Sequence, residues 1–471
     1  MNTDNSDSES KTKFTRRNFL NTLGVTSAGL FFAPFIKTNN VFAYGYKNTS
    51  FLAKVAITKA DNYERTFIKQ KVQYLFEAID GIGDVIKTGN KVGIKINLTG
   101  GSGSNNNPKL GGKSLMDTMW THPEVVRAVG ELLIDGGINA GDIYIVESLW
   151  DTASFNNFGY EDVRKSLGAK LVDLNKPAPY SDFIKKQVGA KSLSFSEFTM
   201  NQILSDIDVY VSIPKMKQHA TAGVTHSLKN SVGAVPKQLY TTPSNTSMRD
   251  ALHTKDGTMA PGTQLPHSIC DLNNARPVNL AVIDGIKNAK GGEGTWNPTF
   301  EVTENHVLIA GKDPVASDSI ASFLMGNDPE AAKLKLPGSG ECENYLETLH
   351  QQGMGTNRMN EIEVVGDGAD LLTYAPRNGE ARMPSDMQLC QNYPNPFNPS
   401  TMIRFYVPAA AYVSVRIYNI AGQEIETLVN GEVPTGLHEF HWSPNNLASG
   451  AYLCRMQSGT FSETKKLIYQ K

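Results

Sequence analysis

Apolar residues recur along this chain in two rhythms. Lys91–Asn97 (KVGIKIN) and Ile143–Ser148 (IYIVES) are short β-rich runs. Between them, THPEVVRAVGELLIDGG places Val125, Val129, Leu132 and Leu133 on one helical stripe. Thr121 is the expected N-cap, Glu124 closes a capping box, and Gly136-Gly137 ends the helix. Strand, helix and mostly apolar second strand predict a right-handed βαβ unit, hence a parallel sheet. Further strands are expected at Ile207–Pro214, Asn279–Gly285 and Asn305–Gly311. A helix should follow Asp313 as N-cap, with Pro314 in its first turn. The expected fold class is α/β, a Rossmann-like, mostly parallel sheet. Near the C-terminus the rhythm changes: Val413, Val415 and Ile417 alternate with Ser414, Arg416 and Tyr418. Turn signals at NIAGQ, NGEVPTG and NLASG recur as in a small immunoglobulin-like β-sandwich.

Composition narrows the function. At 471 residues, two or three domains are expected. A net charge of −2 argues against a nucleic-acid partner, which calls for a basic face or arm. The four cysteines, Cys270, Cys342, Cys390 and Cys454, are scattered. No local iron–sulfur cysteine motif exists, and free thiols are expected.

Both ends read as addresses. FTRRNFL supplies Arg16 and Arg17, a short apolar stretch follows, and Val41-Phe42-Ala43 fits a cleavage site before Tyr44. This segment, residues 1–43, resembles a twin-arginine (Tat) signal peptide, with Asn21 where a lysine is common. The resemblance implies export by the twin-arginine translocase, which carries folded proteins. After a linker at 376–388, residues 389–471 resemble the C-terminal sorting domain of type IX secretion substrates. The matching elements are Tyr393-Pro394-Asn395-Pro396-Phe397-Asn398-Pro399, Ile417-Tyr418-Asn419 with Gly422, Gly436 with His438, Trp442, and Leu447 to Tyr452. Cys390 stands where such tails usually carry serine. The resemblance implies passage across the outer membrane through the type IX machinery, to the cell surface or beyond.

The middle segment, residues 50–375, holds the candidate chemistry. In open α/β sheets ligands bind beyond the carboxyl ends of the strands. Lys95 and Asn97 end the first expected strand, Glu147 and Ser148 the second, and Asp284 the fourth. Lys215, Lys217 and His219 follow the third strand, and Lys312 and Asp313 the fifth. Ile213–Asn230 (IPKMKQHATAGVTHSLKN) contains three lysines, two histidines and no acid. Thr221-Ala222-Gly223 could open a helix whose N–H groups favour an anion, with Lys229 and Asn230 further on. His226 reads more readily as a structural histidine. Glu293, in a glycine-rich loop, and His253 and His267, in a long polar insertion, are candidates to reach the same place. Asp318 can face either the sheet or solvent. The glycine-rich stretch after Asn97 matches neither nucleotide fingerprint.

In this order, KINLTGG, THPEVVRAVGELLIDGG, IPKMKQHATAGVTHSLKNSVGAVP, LAVIDGI with GGEGTW, and VLIAGKDPVASDSIASFLMG resemble the family called domain of unknown function 362. Many of its members carry a ferredoxin-like cysteine module, which this chain lacks. The residues support an exported enzyme acting on a small anionic substrate. In that reading His219, Asp284 and Lys217 are catalytic, and Lys95, Asn97, Lys215, Thr221, Lys229 and Asn230 bind substrate. Glu147 and Asp284 are candidate ligands for a divalent metal. The alternative is a non-catalytic binding protein for an anionic ligand.

Overall fold

The computed structural model describes residues 53–102, 109–110, 113–243, 249–254, 260–374, 387–390, 392, 397, 399–434, 436–444 and 447–470. The signal-like segment 1–43 and most of the linker lie outside them. The chain forms two compact units, Met1–Leu372 and Thr373–Lys471.

In the first unit β1 (Ala53–Lys59) leads to α1 (Arg65–Ala78) and β2 (Val92–Lys95). Next come α2 (Pro123–Asp135), β3 (Ile143–Glu147), α3 (Tyr160–Leu167), β4 (Lys170–Asp173), β5 (Val209–Ser212), β6 (Lys215–His219) and β7 (Gly223–Thr225). Then follow α4 (Pro261–Ala275), β8 (Leu280–Lys290), β9 (Glu301–Thr303), β10 (Val307–Gly311), α5 (Pro314–Leu324), α6 (Tyr345–Gln351) and β11 (Ile362–Val365). The main path of the sheet runs β11-β1-β10-β8-β5-β2-β3-β4, with β6 and β9 joined to β8. Every pairing on this path is parallel except those made by β10. Helices cover both faces. Ile143 and Ile145 of β3 pack with α1, α2 and α3. Tyr144 and Val146 of the same strand point to the other face, where Leu265 and Ile269 of α4 and Leu346 of α6 lie.

Local chemistry explains two departures from expectation. The cap of α2 is His122, not Thr121: its Nδ1 accepts from Glu124 N at 3.2 Å, and Pro123 occupies the first turn. Thr121 ties strand ends together, its Oγ1 donating to Ile213 O at 2.6 Å and accepting from Asn97 N at 3.0 Å. No helix begins at Thr221. Residues 220–222 turn β6 back onto antiparallel β7, with Gly223 at φ +73°. Asp313 does cap α5, accepting from Ala316 N at 2.9 Å.

The antiparallel course of β10 corrects the list of strand ends. Lys312 and Asp313 lie at the edge opposite the carboxyl ends of β2, β3 and β5. Lys312 pairs with Asp84, and Asp313 Oδ2 accepts from Thr356 N.

The second unit contains two antiparallel sheets. One joins β12 (Gln388–Leu389), β13 (Thr401–Val407) and β16 (Gly436–Trp442). The other runs β15 (Glu424–Val433), β14 (Ala411–Asn419), β17 (Gly450–Ser458) and β18 (Phe461–Tyr469). Phe405 and Trp442 from the first share a core with Val413, Val415, Ile417 and Met456 from the second.

Candidate functional site

The chain runs outward from β2 to β3 and β4, then returns to β5 on the other flank of β2. Strand order therefore reverses between β2 and β5, and a crevice opens at their carboxyl ends. Lys95 ends β2 there, fully buried. Its Nζ donates to Glu147 Oε2 at 3.0 Å, Ile96 O at 2.6 Å and Asn230 Oδ1 at 3.2 Å. Asn230 also donates to Lys95 O and to Ser212 Oγ, both at 3.1 Å, and Asn97 Nδ2 reaches Asn230 Oδ1 at 3.4 Å. Glu147 accepts further bonds from Leu98 N at 3.1 Å and Ser148 N at 2.9 Å. Gly233 closes the floor: a Cβ there would stand 2.6 Å from both Glu147 Oε1 and Lys95 Nζ.

A second buried pair lies on β6 and β8, neighbours in parallel register at Lys215 and Asp284. Lys215 Nζ lies 2.5 Å from Asp284 Oδ2 and donates to Tyr63 Oη at 2.9 Å. Tyr63 donates to Asp284 Oδ1 at 2.8 Å, and His122 N donates to Oδ2 at 3.0 Å. The Tyr63 and His122 rings stack, centroids 3.8 Å apart. Burial pushes His122 down to about 4, and pushes the Tyr63 hydroxyl well above its usual range. Asp284 is thus enclosed by donors, among them the Lys215 ammonium, the Tyr63 hydroxyl and the His122 N–H.

The third group is differently balanced. Lys217 Nζ donates to Met119 O at 2.6 Å, and Arg249 donates to Val235 O and Ser148 O at 3.1 and 2.9 Å. Both are buried, and among the described residues they meet backbone carbonyls and no carboxylate. The Lys229 side chain is buried too, and among the described residues its ammonium makes no hydrogen bond or ion pair. Burial, then the field of Lys229, lowers Lys217 to about 7. Burial lowers Lys229 to about 8, with Glu293 opposing and Arg249 and Lys95 adding to the fall. His219 stands alongside: Nδ1 accepts from Thr221 N at 3.2 Å, which leaves the neutral ring's proton on Nε2, 3.9 Å from Glu293 Oε2. The His253 ring lies 6.4 Å from that of His219.

Asp318, on α5, holds the segment that follows β7. It is buried and faces the sheet, accepting from Ser227 N at 2.8 Å and Leu228 N at 2.9 Å. Burial raises it to about 7. The expected residues thus fall into three sets: Lys95, Asn97, Glu147 and Asn230; Lys215 with Asp284; and Lys217, His219, Thr221 and Lys229. Tyr63, His122 and Arg249 join them without having been singled out. His267 goes elsewhere, its Nε2 lying 2.7 Å from Glu343. His226 is buried with neither ring nitrogen hydrogen-bonded to the described residues.

Glu147 and Asp284 do not fit one metal ion. Two strands separate β3 from β8, so the carboxylates lie about 14 Å apart at ordinary strand spacing. Each is already engaged by a lysine and by backbone N–H groups. Among the described residues no cluster of three or more His, Cys, Asp or Glu converges as a metal set. The four cysteines are buried thiols.

Two family models match the chain. Residues 92–322 match the domain of unknown function DUF362, a span holding every residue of the three sets except Tyr63. Residues 391–470 match the secretion system C-terminal sorting domain. The sorting domain marks a secreted or cell-surface protein delivered by type IX machinery. The thylakoid-associated protein sll1697 of Synechocystis sp. is 26% identical over 277 residues, covering 58% of this chain and 75% of the relative. Among solved structures, an engineered protein aligns at 12% identity over 74% of this chain and 70% of its own, with a TM-score of 0.16. The endo-beta-1,4-mannanase from Thermotoga petrophila aligns at 10% identity over 74% and 71%, also with a TM-score of 0.16. Scores that low carry no structural argument.

Proposed function

We propose that the core binds a small anion at the carboxyl edge of β2, β5 and β6, in a protein carried to the cell surface. The observation that supports this best is Lys229, a mostly buried side chain whose ammonium reaches solvent and has no hydrogen-bonding partner among the described residues, set near Lys217 and Arg249. Buried cations cost free energy unless paired. An anion seated between them removes that cost and raises the affinity of both lysines for their protons. Lys95, Asn97 and Asn230 form the floor, fixed by their own bonds. Lys215 and Asp284 act as an ion pair that positions β6 against β8.

A second reading is an enzyme on the same anion. What favours it is Lys217, held near 7, beside His219, whose ring is oriented by Thr221 and Glu293. A lysine balanced near neutral pH suits proton transfer to or from a bound substrate, whereas burial pushes the His219 imidazole well below its usual range. For export, the paired arginines at 16 and 17 support a twin-arginine route across the inner membrane before type IX secretion. The shared core of the two C-terminal sheets supports an immunoglobulin-like assignment for the sorting domain.

The test is thermal shift and calorimetry of the full chain with acetate, succinate and phosphate. Saturable binding that weakens at least tenfold in Lys229→Met supports the reading. Absence of binding to every anion overturns it.

A further inference from the structure

Glu293 offers the lysines an acid from a loop. Its Oε2 accepts from Ala220 N at 3.1 Å and lies 3.9 Å from His219 Nε2, while Oε1 accepts from Trp296 Nε1 at 2.8 Å. The loop is folded tightly to deliver it. Gly291 has φ +74° and Gly292 φ +136°, and a Cβ at these positions would stand 1.6 Å from Thr299 O and 2.4 Å from Asn297 Cγ. Only glycine tolerates both demands. Yet this conformation leaves Trp296 44% exposed, a large apolar ring held at the surface with its N–H on the Glu293 carboxylate. A chain that needed only a turn after β8 has no reason to aim an acid at Ala220 and His219.

We infer that Glu293 occupies the place of a ligand carboxylate, and that a small carboxylate binds by displacing it from the Ala220 N–H and His219. This rests on the anion reading above and names its ligand class. The place suits a planar two-oxygen group: one oxygen meets a backbone N–H and an imidazole, and the other a single donor. A phosphate brings further oxygens that need further donors. Displacement turns the Glu293 side chain outward while the loop stays in place, so that the Trp296 N–H passes from the Glu293 carboxylate to the second oxygen of the ligand.

The experiment titrates the full chain with sodium acetate and, separately, phosphate, against sodium chloride at equal ionic strength. Calorimetry and tryptophan emission are followed in wild type, Glu293→Gln and Trp296→Phe. With its internal competitor neutralised, Glu293→Gln should bind acetate about tenfold more tightly. Acetate should change the emission of wild type, and the change should vanish in Trp296→Phe. Acetate affinity equal to or weaker than wild type in Glu293→Gln overturns the inference while leaving anion binding intact. Phosphate binding more tightly than acetate overturns the carboxylate assignment. If Glu293→Gln fails to fold, saturable acetate binding by wild type without a Trp296 signal overturns displacement. If no anion binds wild type or variant, the anion reading fails as well.

Discussion

Lys215 Nζ lies 2.5 Å from Asp284 Oδ2, and neither side chain reaches solvent. The pair joins neighbouring strands at the edge where the candidate site lies. Removing one partner strands a buried charge, which costs about 3–5 kcal/mol. Asp284→Asn and Lys215→Met should each lower the unfolding free energy of the full chain, measured by denaturant titration, by that order. The double variant Lys215→Met/Asp284→Leu should recover part of the loss. Additive losses in the double variant would show that the pair is not coupled.

Gly233 is a packing test of the Lys95–Glu147 pair. A methyl group there meets the carboxylate and the ammonium at 2.6 Å, so one must move. Gly233→Ala should cost about 1–3 kcal/mol in chemical denaturation. Gly141, where a Cβ meets nothing within 4 Å, is the control, and Gly141→Ala should change little.

The lowered lysines set a pH dependence. Lys217 falls from 10.5 to about 7 and Lys229 from 10.5 to about 8 on folding. Between roughly pH 7 and 10.5 the unfolded chain therefore holds protons that the folded protein has released. Stability contributed by these groups is full above the unfolded value, and is lost as pH falls toward the folded ones. The stability difference between Lys217→Met and wild type, measured by denaturation from pH 6 to pH 10, should shrink as pH rises. A difference constant across that range would contradict the assignment.

The sorting domain gives a cellular prediction. Truncation after Leu372 should leave the protein inside the outer membrane of a host with type IX secretion, as cell fractionation would show. Surface display of the truncated chain would contradict the role of residues 391–470.

Much of this was legible in the sequence. The strand runs, the helix stripe and the cationic stretch after β5 follow from periodicity and composition. What the sequence could not convey was direction and contact. Residues Asn305–Gly311 read as a strand in either sense, so Lys312 and Asp313 were expected at the wrong edge. Thr221 sits beside glycine in a polar run, which suits a helix start as well as the β6–β7 turn. Tyr63 gave no signal, being an aromatic in a polar stretch far from Asp284 in sequence. His122 could have been found, because a residue that precedes proline and an apolar stripe is a natural cap. Arg249 lay within a long polar insertion whose period said nothing.

The most direct test is calorimetry of acetate binding to the full chain at pH 6.5 and pH 9. Lys217 and Lys229 are charged mainly below the values near 7 and 8 that the unliganded site imposes. Affinity should therefore fall at least tenfold between the two pH values, and Lys229→Met should shrink that difference, leaving the part that Lys217 contributes. Equal affinity at both pH values, or a Lys229→Met profile like that of wild type, would contradict a site built on these two lysines.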